Sequence, residues 1–247
     1  MSVTRSIPWL RVFVEGVVIV GSILLAFGIE AWWDGRQERE EEQAILTALR
    51  SELADARQGF EDQLELLDED MRLAATTLEA LSNAQVGELP TDSVRELATT
   101  LGPSFAFQPP RAALNDLLNG GGIVLIQSDT LRRAIAAYEQ ILALDADDQE
   151  LLVDLWLNHM APYRYEHGVM PDPELAPQRE GVAEAINDIT DLLVEARRFD
   201  ADEAAFVGSR AYSNLLWARV FRVGDVRSRH LAVIGRIDAL LVLLSRD

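Results

Sequence analysis

The feature that most constrains this chain is a run of fourteen residues without a charge, Gly16 to Ile29, which Val12 to Val14 extend across the single interruption of Glu15. A run of this length either crosses a bilayer or lies buried in a protein core. The flanks favour the bilayer. Trp9 stands at one end and Trp32 and Trp33 at the other, roughly 34 Å apart at helical rise, which matches an aromatic belt at each interface. Residues 12–33 are therefore expected to form a single transmembrane helix behind a short tail, residues 1–11. A secretory signal peptide has a similar outline, with Arg5 and Arg11 ahead of an apolar core and Ala26-Phe27-Gly28 imitating a cleavage site. Because the apolar pattern runs on past that point into Trp32, an uncleaved anchor is the expectation.

On a helical wheel Ser22 and Ala26 fall within about 20 degrees of Glu15, and Gly21 and Gly28 are a heptad apart. Small faces of this kind let transmembrane backbones approach closely, and a carboxylate at the edge of hydrocarbon calls for a partner or for the interface. Glu15 thus has two readings, helix association or a protonatable site, beside the plainer one of a side chain snorkelling to the headgroups. Glu30, next to Trp32 and Trp33, is read as snorkelling. Glu15, Gly21, Ser22, Ala26, Gly28, Glu30, Trp32 and Trp33 are the candidate anchoring and association residues.

Charge bounds the partners. The net charge is -19, yet Arg5, Arg11, Glu15 and Glu30 make residues 1–33 neutral, so all the acidity lies beyond the apolar segment. A domain this acidic repels phosphate backbones, which argues against nucleic acid. Cysteine is absent, which excludes disulfides, thiolate metal sites and cysteine nucleophiles.

Beyond Trp33 the pattern is helical throughout, and the expected class is all-α. Leu46, Leu49, Leu53, Ala56 and Phe60, then Leu64, Leu67, Met71, Ala74, Leu78 and Leu81, follow a 3-and-4 spacing with one extra residue after Phe60. That is a coiled-coil-like seam with a stutter on a long acidic helix, residues 34–84. Its other face, Glu52, Asp55, Glu61, Asp62, Glu65, Asp68, Glu69 and Asp70, reads as solvated. Residues 85–247 are expected to form a helical bundle domain. Gly87 to Pro90 ends the first helix, Thr91 or Asp92 caps a short one, and Gly102-Pro103 and Pro109-Pro110 bracket a loop with Phe105 and Phe107. A helix from Arg111 to Leu118 ends at Asn119 and Gly120 to Gly122. Those glycines lack a following Gly-Lys-Ser, so they predict a C-cap turn and not a phosphate loop. Ile123 to Ile126 is the one strand-like run. Ser128 or Asp129 caps a helix carrying Leu131, Ile135, Tyr138, Leu142, Leu151 and Leu155 towards Pro162, residues 168–180 read as a loop, and Val182 to Arg198 is amphipathic. The long C-terminal helix, 204–246, sums to +5 against -11 for residues 34–92, which predicts that the two pack together, antiparallel, in an elongated bundle.

No motif specifies a reaction. His159, His167 and His230 lack metal-ligand spacing, although His159 and His167 flank Pro162 with Glu166 nearby, and His230 falls on the apolar seam of the last helix as a satisfied or interface histidine. No catalytic residue, metal or cofactor is expected.

Two stretches resemble a known family. Glu15-Gly16-Val17, Ser22 through Glu30 and Ala31-Trp32-Trp33, followed by Arg36 and a Glu-rich helix, resemble the N-terminal signature of a family of uncharacterised bacterial single-pass membrane-anchored helical proteins, with Ser22 where glycine is usual and Gly28 where glutamine is usual. Ala113-Leu114-Asn115, Leu117, Gly120 to Gly122, Leu125-Ile126, Asp129, Leu131-Arg132 and Tyr138 look like its central helix-turn-helix piece. The resemblance implies an anchor and an architecture, and no activity. Together with the seam it points to a bacterial inner-membrane scaffold or interaction protein, self-associating or bound to another membrane protein. The alternative is a membrane-energised or signalling subunit in which Glu15 takes up a proton. Arg5, Arg11 and the amino terminus against Arg36 and Arg39 lean towards a cytoplasmic N-terminus and a periplasmic domain.

Overall fold

The computed structural model describes residues 9–83, 89–169 and 202–245, and among them every element is helical. The all-α expectation holds. A helix of 75 residues, α1 (Trp9–Asn83), runs without a break from the apolar segment through the acidic one, because no proline or glycine pair interrupts it. It is followed by α2 (Thr91–Thr99), α3 (Ala112–Asn119), a 3-10 turn (Gly122–Val124), α4 (Asp129–Leu155), a π-helical turn (Trp156–Met160), α5 (Ala161–Glu166), α6 (Glu203–Val207) and α7 (Arg210–Leu244). The amphipathic stretch 182–198 lies outside the described residues.

The chain divides into two compact units, residues 1–52 with 111–132, and residues 53–110 with 133–247. In the first, Leu49 of α1 is buried together with Leu114 and Leu117 of α3. Glu52, expected on the wet face, instead reaches the start of α3: its carboxylate accepts the backbone N–H groups of Ala113 at 2.6 Å and Leu114 at 2.9 Å. No side chain of α3's own N-cap does this, so a distant glutamate meets the free donors and the positive end of the helix dipole. Glu42 does the same for Gln127, at 2.8 Å. Replacing Glu52 by Ala is expected to cost about 1–2 kcal/mol, read as a lowered urea midpoint with faster amide exchange at Ala113 and Leu114; unchanged exchange there would show that the contact carries no weight.

The glycines after α3 form the predicted C-cap turn. Gly120 N–H returns to the Asp116 carbonyl at 2.8 Å and Gly121 takes φ +81, a conformation that costs glycine nothing. Ile123 to Ile126 is not a strand: Gly122 to Val124 form the 3-10 turn and Ile126 is buried. With no strand among the described residues to pair with, a four-residue apolar run satisfies its backbone locally. Ser128 caps α4 as expected, accepting from Leu131 N at 3.3 Å. At α2, by contrast, Pro90 occupies the cap position with φ -59 and ψ 146 and no side-chain cap, and Thr91 is already helical. The proline ring pre-sets the entry conformation, which leaves Thr91 no capping role.

In the second unit the predicted seam of α1 packs inside the chain. Leu53, Ala56, Phe60 and Ala74 are buried, and Leu64, Leu67, Met71, Leu78 and Leu81 are half-buried. Opposite them α7 buries Tyr212, Leu216, Arg219, Val223, Val226, His230, Val233, Ile237, Leu240 and Leu244, an unbroken 4-and-3 alternation. The two helices are antiparallel, as their charges predicted: Arg57 meets Asp238 at 2.8 Å, Arg227 meets Asp68 at 2.5 Å and Arg219 meets Asp70 at 2.9 Å. Asp70, read as solvated, is instead largely covered by its ion pair, while Asp68 pairs with Arg227 and stays exposed as expected. Pro162 does not end its helix. The five-residue π turn before it widens the backbone, with Ala161 N–H reaching Trp156, so the chain passes the proline's missing donor and bulky ring without breaking.

Candidate functional site

Of the candidate anchoring residues, Glu15, Gly21, Ser22, Ala26, Gly28, Glu30, Trp32 and Trp33 are all exposed along one helix. The 18-residue window that marks the segment as long and apolar enough to cross a membrane has a mean hydropathy of 1.8, and none of it is buried. A core helix of comparable composition would be covered. A Cβ built on Gly16, Gly21 or Gly28 meets nothing within 4 Å. Ser22 Oγ donates back to the Val18 carbonyl at 2.7 Å, which satisfies the hydroxyl within the helix and lets it sit in an apolar stretch. At the far end the rings of Trp32 and Trp33 lie 6.4 Å apart, the Arg36 guanidinium sits 6.0 Å from the Trp32 ring, and Arg36 pairs with Glu40 at 2.8 Å. The apolar segment thus passes through an aromatic pair straight into charge.

A second concentration of chemistry lies in the core of the second unit, where sequence reading placed no site. Arg164 of α5 is 2% exposed, and its guanidinium donates to the carbonyls of Ala98 at 2.7 Å and Leu101 at 3.3 Å, closing the C-terminal end of α2. Burial pulls its pKa down to about 10. Tyr212 donates to the Leu97 carbonyl at 2.6 Å, and burial pushes its phenol up. Arg219 of α7 grips Asp70 and also donates to the Gly102 carbonyl at 2.9 Å and to Ser104 Oγ at 3.1 Å. These buried arginines hold the loop after α2 against α5 and α7 by satisfying carbonyls that no helix covers.

The histidines fall in three different places. His159, on the π turn, is exposed; the His167 ring packs at a tilt against Tyr163, with ring centres 4.5 Å apart and Nδ1 3.0 Å from the Tyr163 carbonyl. Among the described residues no three His, Asp or Glu side chains converge as ligands. His230 is 2% exposed on the α7 seam, as expected, but it is not satisfied: neither ring nitrogen has a hydrogen-bond partner. It faces Asp145 of α4, equally buried, with Nε2 3.7 Å from Oδ1. The sequence does carry a signal for this cluster. Tyr138, Leu142, Asp145, Gln149 and Leu152 continue the 4-and-3 core spacing of α4, so Asp145 and Gln149 occupy core positions although the acidic run Asp145 to Asp148 makes them look like a wet face. In comparisons with protein-family models, curated proteins and solved structures, the chain has no match.

Proposed function

We propose that the chain is a bacterial inner-membrane protein, anchored by residues 12–33, whose helical domain is a periplasmic scaffold or interaction module that self-associates. The observation that carries this reading is that none of the apolar segment of α1 is buried, whereas from Leu49 onward the same helix buries its apolar seam. Uncovered apolar surface of this extent requires a bilayer or another chain. Because the Leu46 to Leu81 seam is consumed largely by intramolecular packing, self-association rests on the anchor, where Ser22 and Ala26 line one side and Gly21 and Gly28, a heptad apart, line another, each small enough to let two such helices approach.

Replacing both Val20 and Leu24 by Arg is expected to release the protein from membranes into the alkaline-carbonate supernatant, since each arginine at the centre of a span costs about 2.5–3.5 kcal/mol on insertion scales. Membrane retention of the double variant would sink the anchor, and an N-terminus mapped just after Gly28 would make the segment a cleaved leader. Light scattering in detergent is expected to give a multiple of the chain mass, reduced to one chain by Gly21→Leu with Gly28→Leu; a wild-type monomer removes self-association.

A further inference from the structure

Asp145 and His230 are the clearest unexplained feature of the core. The 3.7 Å between Nε2 and Oδ1 is too long for a hydrogen bond. Asp145 Oδ1 and both imidazole nitrogens have no other hydrogen-bond partner, and buried polar atoms in that state are costly enough to require a reason. The other carboxylate oxygen, Oδ2, accepts from Gln149 Nε2 at 2.7 Å, and Gln149 Oε1 in turn accepts the backbone N–H of Phe107. The carboxylate is therefore wired to the loop of residues 102–110 through one side chain. Around the pair, α1 contributes the Phe60 ring, 4.9 Å from the imidazole, and the loop contributes Phe107, 6.5 Å away. The charges that act on it are Asp148 of α4 and Arg229 of α7, which are bound to each other at 2.8 Å.

We propose that Asp145 and His230 bind one proton between them, and that this proton closes the gap between α4 and α7 as a pH-operated latch. With a carboxylate facing a neutral imidazole, the core holds a net negative charge and a weak contact. One proton taken from solvent onto the carboxyl gives an O–H that donates to Nε2, and a bond of ordinary length brings α4 and α7 about 1 Å closer. Gln149 transmits the movement to Phe107.

Burial decides where the proton goes. Desolvation lifts Asp145 to about 6, with the Gln149 hydrogen bond opposing, Asp148 adding and Arg229 opposing; desolvation alone depresses His230 to about 4. The proton therefore goes to Asp145 first. The folded carboxyl titrates near 6 and the unfolded one near 3.8, so ionised Asp145 costs stability fully above pH 6, and that cost is gone below the unfolded value. The cost from His230 runs the other way. It is absent above 6.5 and grows as pH falls towards 4.

The test is thermal unfolding of the full-length protein in detergent from pH 4 to 8, for wild type, Asp145→Asn and His230→Gln, with 15N-histidine NMR on the wild type. Asp145→Asn is expected to melt above wild type at pH 8, because the amide replaces a buried anion and can donate to His230. That advantage should fade between pH 6 and 4. His230→Gln should gain on wild type only below pH 6, and the His230 ring should stay neutral at pH 5. Amides of Phe107 and Gln149 should exchange about tenfold more slowly at pH 5.5 than at 7.5 after correction for intrinsic rates, the equivalent of one pKa unit. A constant offset of Asp145→Asn at all pH, or a His230 ring that titrates near 6.5, overturns the latch. If Asp145→Asn does not fold, the ring titration and the exchange rates in the wild type decide alone.

Discussion

Arg219→Ala is expected to lower the free energy of unfolding by about 3–5 kcal/mol, the range for removing one partner of a buried charge pair. The guanidinium is 7% exposed against 20% for Asp70, and it makes two further bonds, to the Gly102 carbonyl and Ser104 Oγ. Its loss strips a largely shielded carboxylate, a carbonyl and the buried Ser104 hydroxyl of their shared donor. Chemical denaturation followed by circular dichroism measures the cost. Arg219→Lys should recover only part of it, because an ammonium cannot bind both oxygens of Asp70 in parallel and still reach Gly102. If the double variant Asp70→Leu with Arg219→Met is nearly as stable as wild type while Arg219→Ala is not, the stranded carboxylate is the dominant loss. A cost under about 1 kcal/mol for Arg219→Ala would put this pair with ordinary surface ion pairs and defeat the argument.

Phe60→Ala should cost a comparable amount, about 3–5 kcal/mol, for a different reason. Phe60 is fully buried, meets Phe107 edge-on with ring centres 5.0 Å apart, and lies 4.9 Å from the His230 ring. Truncation removes most of the aromatic surface at the meeting point of α1, α7 and the loop, and it opens a cavity among close-packed side chains that relax only partly. Phe60→Leu should cost much less, since most of the volume remains. Gly59, one residue before, has the opposite problem: a Cβ there would lie 2.6 Å from Phe107 Cζ, so Gly59→Ala must displace that ring. Thermal midpoints rank the three variants. If Phe60→Ala proves no worse than Phe60→Leu, the ring is not the keystone of this layer.

Helical periodicity made most of the helices legible. The 3-and-4 spacing from Leu46 to Leu81 marks the residues that α1 buries or half-buries, and the opposite charges of residues 34–92 and 204–246 foretold the antiparallel pairing that Arg57, Arg219 and Arg227 make. These features are local or additive. A side chain's face on a helix follows from its position modulo 3.6, and net charge sums without regard to fold. Glu52 and Asp70 depart from that pattern. An acidic residue on the rim of a helix looks solvated until another segment brings it a backbone donor or an arginine, and that segment lies 61 residues away for Glu52 and 149 for Asp70. At Pro162 a helical stretch carries a proline without breaking, because a single π turn ahead of it absorbs the ring and the missing donor.

The apolar run from Gly16 to Ile29 and the 3-and-4 seams were determined by the sequence alone, because solvent exclusion acts on each residue through its own side chain and its periodic neighbours. Only the tertiary structure decided that Asp145 and His230 face each other, that Gln149 ties them to Phe107, and that Arg164 closes the end of α2. Whether a core position holding a polar side chain is paired, stranded or charged depends on which helix lies opposite and at what register. That geometry is set by the packing of the whole unit and is carried by no single segment.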